Sequence, residues 1–155
     1  MIHKIIFAAA FCLLLVSFSF AQTDEINIIP RPESLTRGSG YFPLTRQTVI
    51  VVENKADRII GDLLNNAIER QYRIKLRISE FAPKGSTAIF VSNTGPLHSI
   101  AGAYGLAVEN NRVRIFADDA AGRFYGAQTF IQLLPAKTGE KVNIPVVSVV
   151  DEPRF

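Results

Sequence analysis

Tryptophan is absent from this 155-residue chain, and cysteine, methionine and histidine are nearly so, at one, one and two residues. The single cysteine, Cys12, falls inside an apolar run at the N-terminus. Beyond that run there is no thiol, which excludes disulfides, thiolate catalysis and cysteine metal sites there. His3 belongs to the same N-terminal stretch, so His98 is the one histidine left for chemistry. It follows Gly95-Pro96 and has no His, Asp or Glu within five residues. A zinc site needs three or four ligands at helical or turn spacing, and no such set exists. A Ser-His-acid triad would rest on His98 alone, without a Gly-x-Ser-x-Gly elbow. His98 therefore reads as an exposed or hydrogen-bonded turn residue.

Charge of one sign is also scarce. Seventeen Lys and Arg stand against fourteen Asp and Glu, a formal charge of +3, or +2 without Lys4. The arginines, from Arg31 to Arg154, are scattered and form no run of the kind that binds nucleic acid or lipid head groups. They read as a solvated surface of mixed charge, with no nucleic-acid partner. Phosphate-cradling glycines are missing too. Gly38-Ser39-Gly40 precedes Tyr41 and a strand rather than a helix, and Gly102-Ala103-Tyr104-Gly105 also enters a strand.

The N-terminus is distinctive. A short basic start, Met1 to Lys4, precedes the apolar run Ile5 to Phe20, and Ser19-Phe20-Ala21 places small residues at −3 and −1 of a cleavage site. A membrane span needs roughly 20 apolar residues, and here Gln22, Thr23, Asp24 and Glu25 follow. Phe11 before Cys12 and the apolar residues after it argue against a lipoprotein signal. Residues 1–21 are read as a cleaved export signal. No stable membrane span is expected after cleavage.

The remainder, with 48% hydrophobic residues across the chain, can build a core. Ile26 to Ile29 ends at Pro30-Arg31-Pro32, whose prolines force an extended segment. Thr36 to Gly40 reads as a turn or loop. Thr48 to Glu53 reads as a buried strand. Asn54 to Asp57 starts a helix whose apolar row is Ile59, Ile60, Leu63, Leu64, Ala67, Ile68 and Tyr72, with Asn65 on the polar face. Ile74 to Ser79 alternates as a half-buried strand, and Thr87 to Val91 is another. Tyr104 to Glu109 and Arg112 to Phe116 flank Asn110-Asn111, read as a type I′ hairpin. Asp118 to Pro135 reads as a second helix, with Ala121, Phe124, Ala127, Phe130, Ile131 and Leu134 facing the core. Gly122 and Gly126 would let another backbone approach. Pro145 to Val150 is a last strand. The sum is an α+β domain, one mostly antiparallel or mixed sheet with two helices packed on one face.

No constellation carries chemistry. Asp118-Asp119 suit helix capping. A catalytic acid would need a pocket and a raised pKa. Asp151-Glu152 before Pro153 reads as a turn or linker. Phe124, Tyr125 and Phe130 could form a sugar-stacking platform, but the helical spacing places Phe124 and Phe130 in the core. No catalytic, cofactor-binding or metal-ligating residue is assigned, and no cofactor is expected.

Three segments nevertheless resemble one family. They are Ile28-Ile29-Pro30-Arg31-Pro32, the stretch Gly122-Arg123-Phe124-Tyr125-Gly126-Ala127-Gln128-Thr129-Phe130-Ile131-Gln132-Leu133-Leu134-Pro135, and the run from Ile144-Pro145 to Asp151-Glu152-Pro153-Arg154-Phe155. Together they resemble the N-terminal, non-catalytic domain of glycoside hydrolase family 20, the β-N-acetylhexosaminidases. The resemblance implies a zincin-like topology without metal, followed by a (β/α)8 barrel that holds the active site. There a neighbouring Asp and Glu assist the substrate's own acetamido group, the substrate-assisted exception among glycosidases. The barrel's first strand would carry a Trp-Arg-Gly segment, which is not present here, and Asp118-Asp119 do not match the catalytic pair. With the export signal read at 1–21, the resemblance implies an accessory domain at 22–150 and the start of a linker at 151–155. Its partner would be the catalytic barrel of the same protein, and glycan would be reached through that barrel. The parent enzyme would be exported, and this chain alone is expected to be inactive. The alternative is a free-standing carbohydrate-binding or scaffold module. An independent zincin-type hydrolase is disfavoured by the missing His-Glu-x-x-His motif.

Overall fold

The computed structural model describes residues 26–93, 100–136 and 141–154. The segment read as a signal, His98 and Phe155 lie outside these residues.

Seven strands form one mixed sheet. They are β1 (Ser34–Leu44), β2 (Val49–Val52), β3 (Arg77–Ser79), β4 (Ala88–Ser92), β5 (Tyr104–Val108), β6 (Arg112–Phe116) and β7 (Val142–Asp151). Their spatial order is β1-β7-β5-β6-β4-β2-β3. The β3-β2-β4-β6 half is parallel, and the β6-β5-β7-β1 half is antiparallel. Two helices, α1 (Arg58–Tyr72) and α2 (Ala120–Gln132), pack on one face and touch each other.

Local chemistry explains most of these elements. Val49 to Val52 are all buried, as expected of a β-branched strand inside a sheet. Asn54 Oδ1 accepts from the Ala56 and Asp57 amides at 2.7 and 3.2 Å, capping a 3₁₀ turn that leads into α1. Ile60, Leu64, Ala67, Ile68 and Tyr72 of α1 enter the core. Ile59 does not. It is 75% exposed, one residue off the buried stripe. Asn65 also departs from expectation, because it is buried. Its amide bonds Leu76 O at 3.0 Å and accepts from Leu76 N at 2.8 Å, substituting for strand pairing in the segment before β3. That segment alternates as expected, although the ladder itself begins only at Arg77.

Residues 36–40 are not a loop but part of β1. Thr36 and Arg37 pair with Ser148 and Val147, the register shifts, and pairing resumes at Tyr41 with Pro145. The turn-like composition is used in this irregularity, where Gly40 takes φ +95°. The β5–β6 hairpin exists, but neither Asn110 nor Asn111 has positive φ, so its turn is not type I′. Glu109 closes it instead, accepting from Arg112 and Arg114 at 2.8 Å each. In β6, Val113 and Ile115 point inward and Arg112 and Arg114 outward.

Sequence periodicity placed α2 only in part: Ala127, Phe130 and Leu134 are buried as expected, Ile131 is half-buried, and Ala121 and Phe124 are exposed. Asp119 caps it by accepting from Gly122 N at 2.7 Å. The buried stripe is Gly122, Arg123, Gly126, Ala127, Thr129 and Phe130, whereas Phe124 is 41% exposed. The reason is steric. A Cβ on Gly122 would lie 2.3 Å from Ala103 O, and one on Gly126 would lie 2.8 Å from Ile115 Cγ2. The glycine side therefore faces the sheet and turns Phe124 outward, while Phe130, one turn beyond Gly126, fills the core. Arg123, counted among the surface charges, is buried as well. Its Nε lies 2.8 Å from Asp57 Oδ1 and its Nη1 donates to Ala117 O at 2.9 Å, which ties the start of α2 to the start of α1.

β7 runs from Val142, earlier than expected, and is flanked by β1 and β5. Asp151 is its last residue.

Candidate functional site

A groove of about 440 Å³ lies where the two ends of the domain meet. One wall is the extended segment Ile28 to Arg31, a second is Asp151 to Arg154, and the floor is Gly102, Tyr104 and the exposed side of α2.

Hydrogen bonds hold both walls. Gln132 at the end of α2 clasps the backbone of Ile29, accepting from its N–H at 2.9 Å and donating to its carbonyl at 3.0 Å. Asp151 accepts from Glu33 N at 3.0 Å, and Arg154 donates to Arg31 O at 3.0 Å. Under the groove, Tyr104 and Thr129 share a 2.6 Å hydroxyl contact, and the Tyr104 hydroxyl also donates to Asp151 at 3.4 Å. Burial pushes the Tyr104 phenol up, and the Asp151 carboxylate adds to that effect. This tyrosine stays neutral and acts as a structural donor.

The aromatic side is open. Tyr125 lines the groove at 46% exposure, with Phe124 beside it in an edge-on arrangement at 6.0 Å and 66°. Gly102 sits between Tyr125 and Pro153, with φ +80°. A Cβ there would come within 2.9 Å of Pro153 and 3.3 Å of Tyr125, so glycine is required for the floor to close.

The carboxylates weighed from sequence do not form a reactive pair. Asp119 is consumed by backbone donors, Gly122 N at 2.7 Å and Gly102 N at 2.8 Å. Those bonds hold its carboxyl below the usual range, the opposite of what a general acid requires. Asp118 is exposed and Glu152 lies at the groove wall. Among the described residues no group of three or more His, Cys, Asp or Glu side chains could hold a metal ion. The arrangement can bind an apolar shape; it has no built nucleophile or acid–base pair.

Sequence reasoning missed the groove because its walls are more than 100 residues apart, joined by contacts such as Ile29–Gln132 and Arg31–Arg154. The available signal was the two prolines beside Arg31 together with Pro153, which mark extended segments able to lie side by side.

Comparison with known proteins adds identity to this geometry. Residues 25–152 match the model of glycosyl hydrolase family 20, domain 2. The chain is 29% identical over 168 residues to a β-hexosaminidase of Porphyromonas gingivalis, covering 98% of this chain and 22% of that protein. It is 27% identical over 148 residues to a β-N-acetylhexosaminidase of Cellulomonas fimi, covering 84% of this chain and 27% of that one. Among solved structures, the GH20 β-N-acetylhexosaminidase from Streptomyces coelicolor A3(2) superposes with a TM-score of 0.72 at 27% identity, over 83% of this chain and 26% of that chain. The chain thus spans about a quarter of the length of these relatives. With its mixed seven-stranded sheet and two helices, it belongs to glycosyl hydrolase family 20, as that family's domain 2.

Proposed function

We propose that this chain is the non-catalytic accessory domain of an exported β-N-acetylhexosaminidase, which hydrolyses terminal N-acetylhexosamine through a separate catalytic barrel of the same protein. The observation that carries this reading is the domain 2 match across residues 25–152, in a chain whose similar proteins include named β-hexosaminidases. Export rests on the sequence of residues 1–21. Among the described residues no helix is long and apolar enough to cross a membrane.

The test has two arms. The chain alone should give no turnover of a chromogenic N-acetylglucosaminide. The Porphyromonas gingivalis β-hexosaminidase, with its aligned segment replaced by this chain, should hydrolyse it. Turnover by the chain alone, or an inactive replacement protein, overturns the proposal. Export is read separately, as a mature N-terminus at Gln22 in the exported fraction.

A second reading, a free-standing carbohydrate-binding module, draws on the exposure of Phe124 and Tyr125. Their rings meet at 66° and offer no common flat face for a pyranose. Titration with N-acetylglucosamine oligomers should show no binding tighter than millimolar.

A further inference from the structure

Charge is not spread evenly over this domain, although the basic residues are scattered along the chain. Strands β2, β3, β4 and β6 run parallel, so all of them begin at one end of the sheet, and α1 returns to that end before β3. Arg46 precedes β2, Arg73 and Lys75 lie between α1 and β3, Arg77 opens β3, and β6 turns Arg112 and Arg114 outward. All of these side chains are exposed. Glu69 takes Lys75 at 3.9 Å, and Glu109 takes Arg112 and Arg114 at 2.8 Å each. Among the described residues, Arg46, Arg73 and Arg77 enter no ion pair. The end at which the same strands finish has the opposite balance, with Glu53, Glu80, Asp118 and Asp119 against Lys55 and Arg58.

A surface of one sign concentrates ligands of the other and steers their approach, so this end fits a polyanion. The cations are widely set. Arg77 and Arg112 stand at one level of the sheet with Val49 and Ala88 between them, three strand spacings or roughly 14 Å apart. Double-stranded DNA, with a charge about every 1.7 Å, would leave most of its phosphates unmatched. An acidic polysaccharide sets its charges apart by uncharged rings. Resting on the accessory-domain reading, in which the parent enzyme acts on glycan, we infer that the basic end of this domain binds an acidic polysaccharide, a hexosamine polymer that carries carboxylate or sulfate groups. The guanidinium groups take those anions through charge-assisted N–H···O bonds. The domain then holds the charged polymer while the catalytic barrel works on its terminal hexosamine.

Binding of the chain to immobilised chondroitin sulfate is measured beside binding to a DNA duplex, phosphatidylglycerol vesicles and N-acetylglucosamine oligomers. Chondroitin sulfate should bind most tightly, with an affinity that falls as salt rises. Arg46→Gln combined with Arg77→Gln removes two exposed cations that lie outside the described ion pairs and leaves the core intact. It should weaken binding roughly tenfold, the sum of two exposed charge contacts. Lys55→Gln combined with Arg58→Gln makes the same change in net charge at the other end and should alter binding by less than about twofold. Equal weakening by the two pairs overturns the site, because net charge alone then accounts for binding. Undetectable binding, or binding that Arg46→Gln with Arg77→Gln leaves unchanged, also overturns it. Tighter binding to the duplex or the vesicles overturns it in favour of nucleic acid or membrane. Equal binding of the neutral oligomers overturns the role of charge. The accessory-domain reading stands apart from these outcomes, since turnover by the replacement protein decides it.

Discussion

The two helices cover the same sheet by different means. α1 buries a row of large apolar residues, Ile60, Leu64, Ile68 and Tyr72, and it sits where hydrophobic periodicity places it. α2 buries two glycines, an alanine, a threonine and an arginine, and among its large apolar residues only Phe130 is fully covered. It meets the sheet by backbone proximity and by Ala127 and Phe130, an ion pair ties it to the start of α1, and its free side carries Phe124 and Tyr125. A helix held by apolar burial has one apolar face and spends it on its own core. A helix held by small residues and polar ties keeps its aromatics for something outside.

The contrast can be broken most severely at Arg123. Its partner Asp57 is 1% exposed, and Asp57 Oδ2 has no hydrogen-bond partner among the described residues. Arg123→Met should leave that carboxylate buried and unpaired, at a cost of about 3–5 kcal/mol in chemical denaturation. A loss below ~1 kcal/mol would show that the pair does not hold α2 to α1.

The next effect contrasts the helices directly. Leu64→Ala in α1 empties a fully buried site and should cost about 2–5 kcal/mol. Phe124→Ala in α2 removes a larger but 41% exposed side chain and should cost less than ~1 kcal/mol. Equal losses would mean that Phe124 packs as periodicity expected.

Close approach is probed at Gly126. A methyl group there meets Ile115 Cγ2 at 2.8 Å and Tyr104 at 3.2 Å. The strain from overpacking should amount to about 1–3 kcal/mol, outweighing alanine's gain in helix propensity of roughly 1 kcal/mol. A stabilised Gly126→Ala would refute the close packing of α2.

The smallest effect is the cap. Asp119→Ala should cost about 0.5–2 kcal/mol, and the loss should depend on pH. Backbone donors from Gly122 and Gly102 lower the Asp119 pKa from its ordinary 3.8. The ionised carboxylate therefore stabilises the fold in full above that value, and the contribution is lost as pH falls below it through the lowered pKa. Denaturation of the parent and Asp119→Ala proteins at neutral pH and near pH 3 should give a difference that shrinks on acidification. A constant difference would argue against the charged cap.

Most of the sheet was legible from residues alone. Strands such as Val49–Val52 and the alternating Ile74–Ser79 stretch carry their burial in their own composition. α1 was legible for the same reason, except at its first turn, where Ile59 reads as core and is not. Residues 36–40 were illegible because an irregular edge strand has the composition of a loop until its partner, β7, is known. The α2 face was legible in part: Gly122 and Gly126 read as points of close approach and Ala127 and Phe130 as core, but spacing alone also turned Phe124 inward, because glycine adds nothing to a hydrophobic pattern. Arg123 escaped for a related reason, since a buried arginine looks like a surface arginine until Asp57 is placed beside it.

The sequence by itself determined the fold class, both helices and the strands other than β1, the absence of thiols after the N-terminal segment, and, through the Gly122–Pro135 stretch, the family. These are properties of local periodicity and composition, which each segment carries alone. The tertiary structure decided which side of α2 is buried, where the sheet turns from parallel to antiparallel, and that Ile28–Arg31 and Asp151–Arg154 form one groove. Those are long-range matters. They depend on which backbone comes close to which, and sequence spacing carries no distance between residues that only the folded chain brings together.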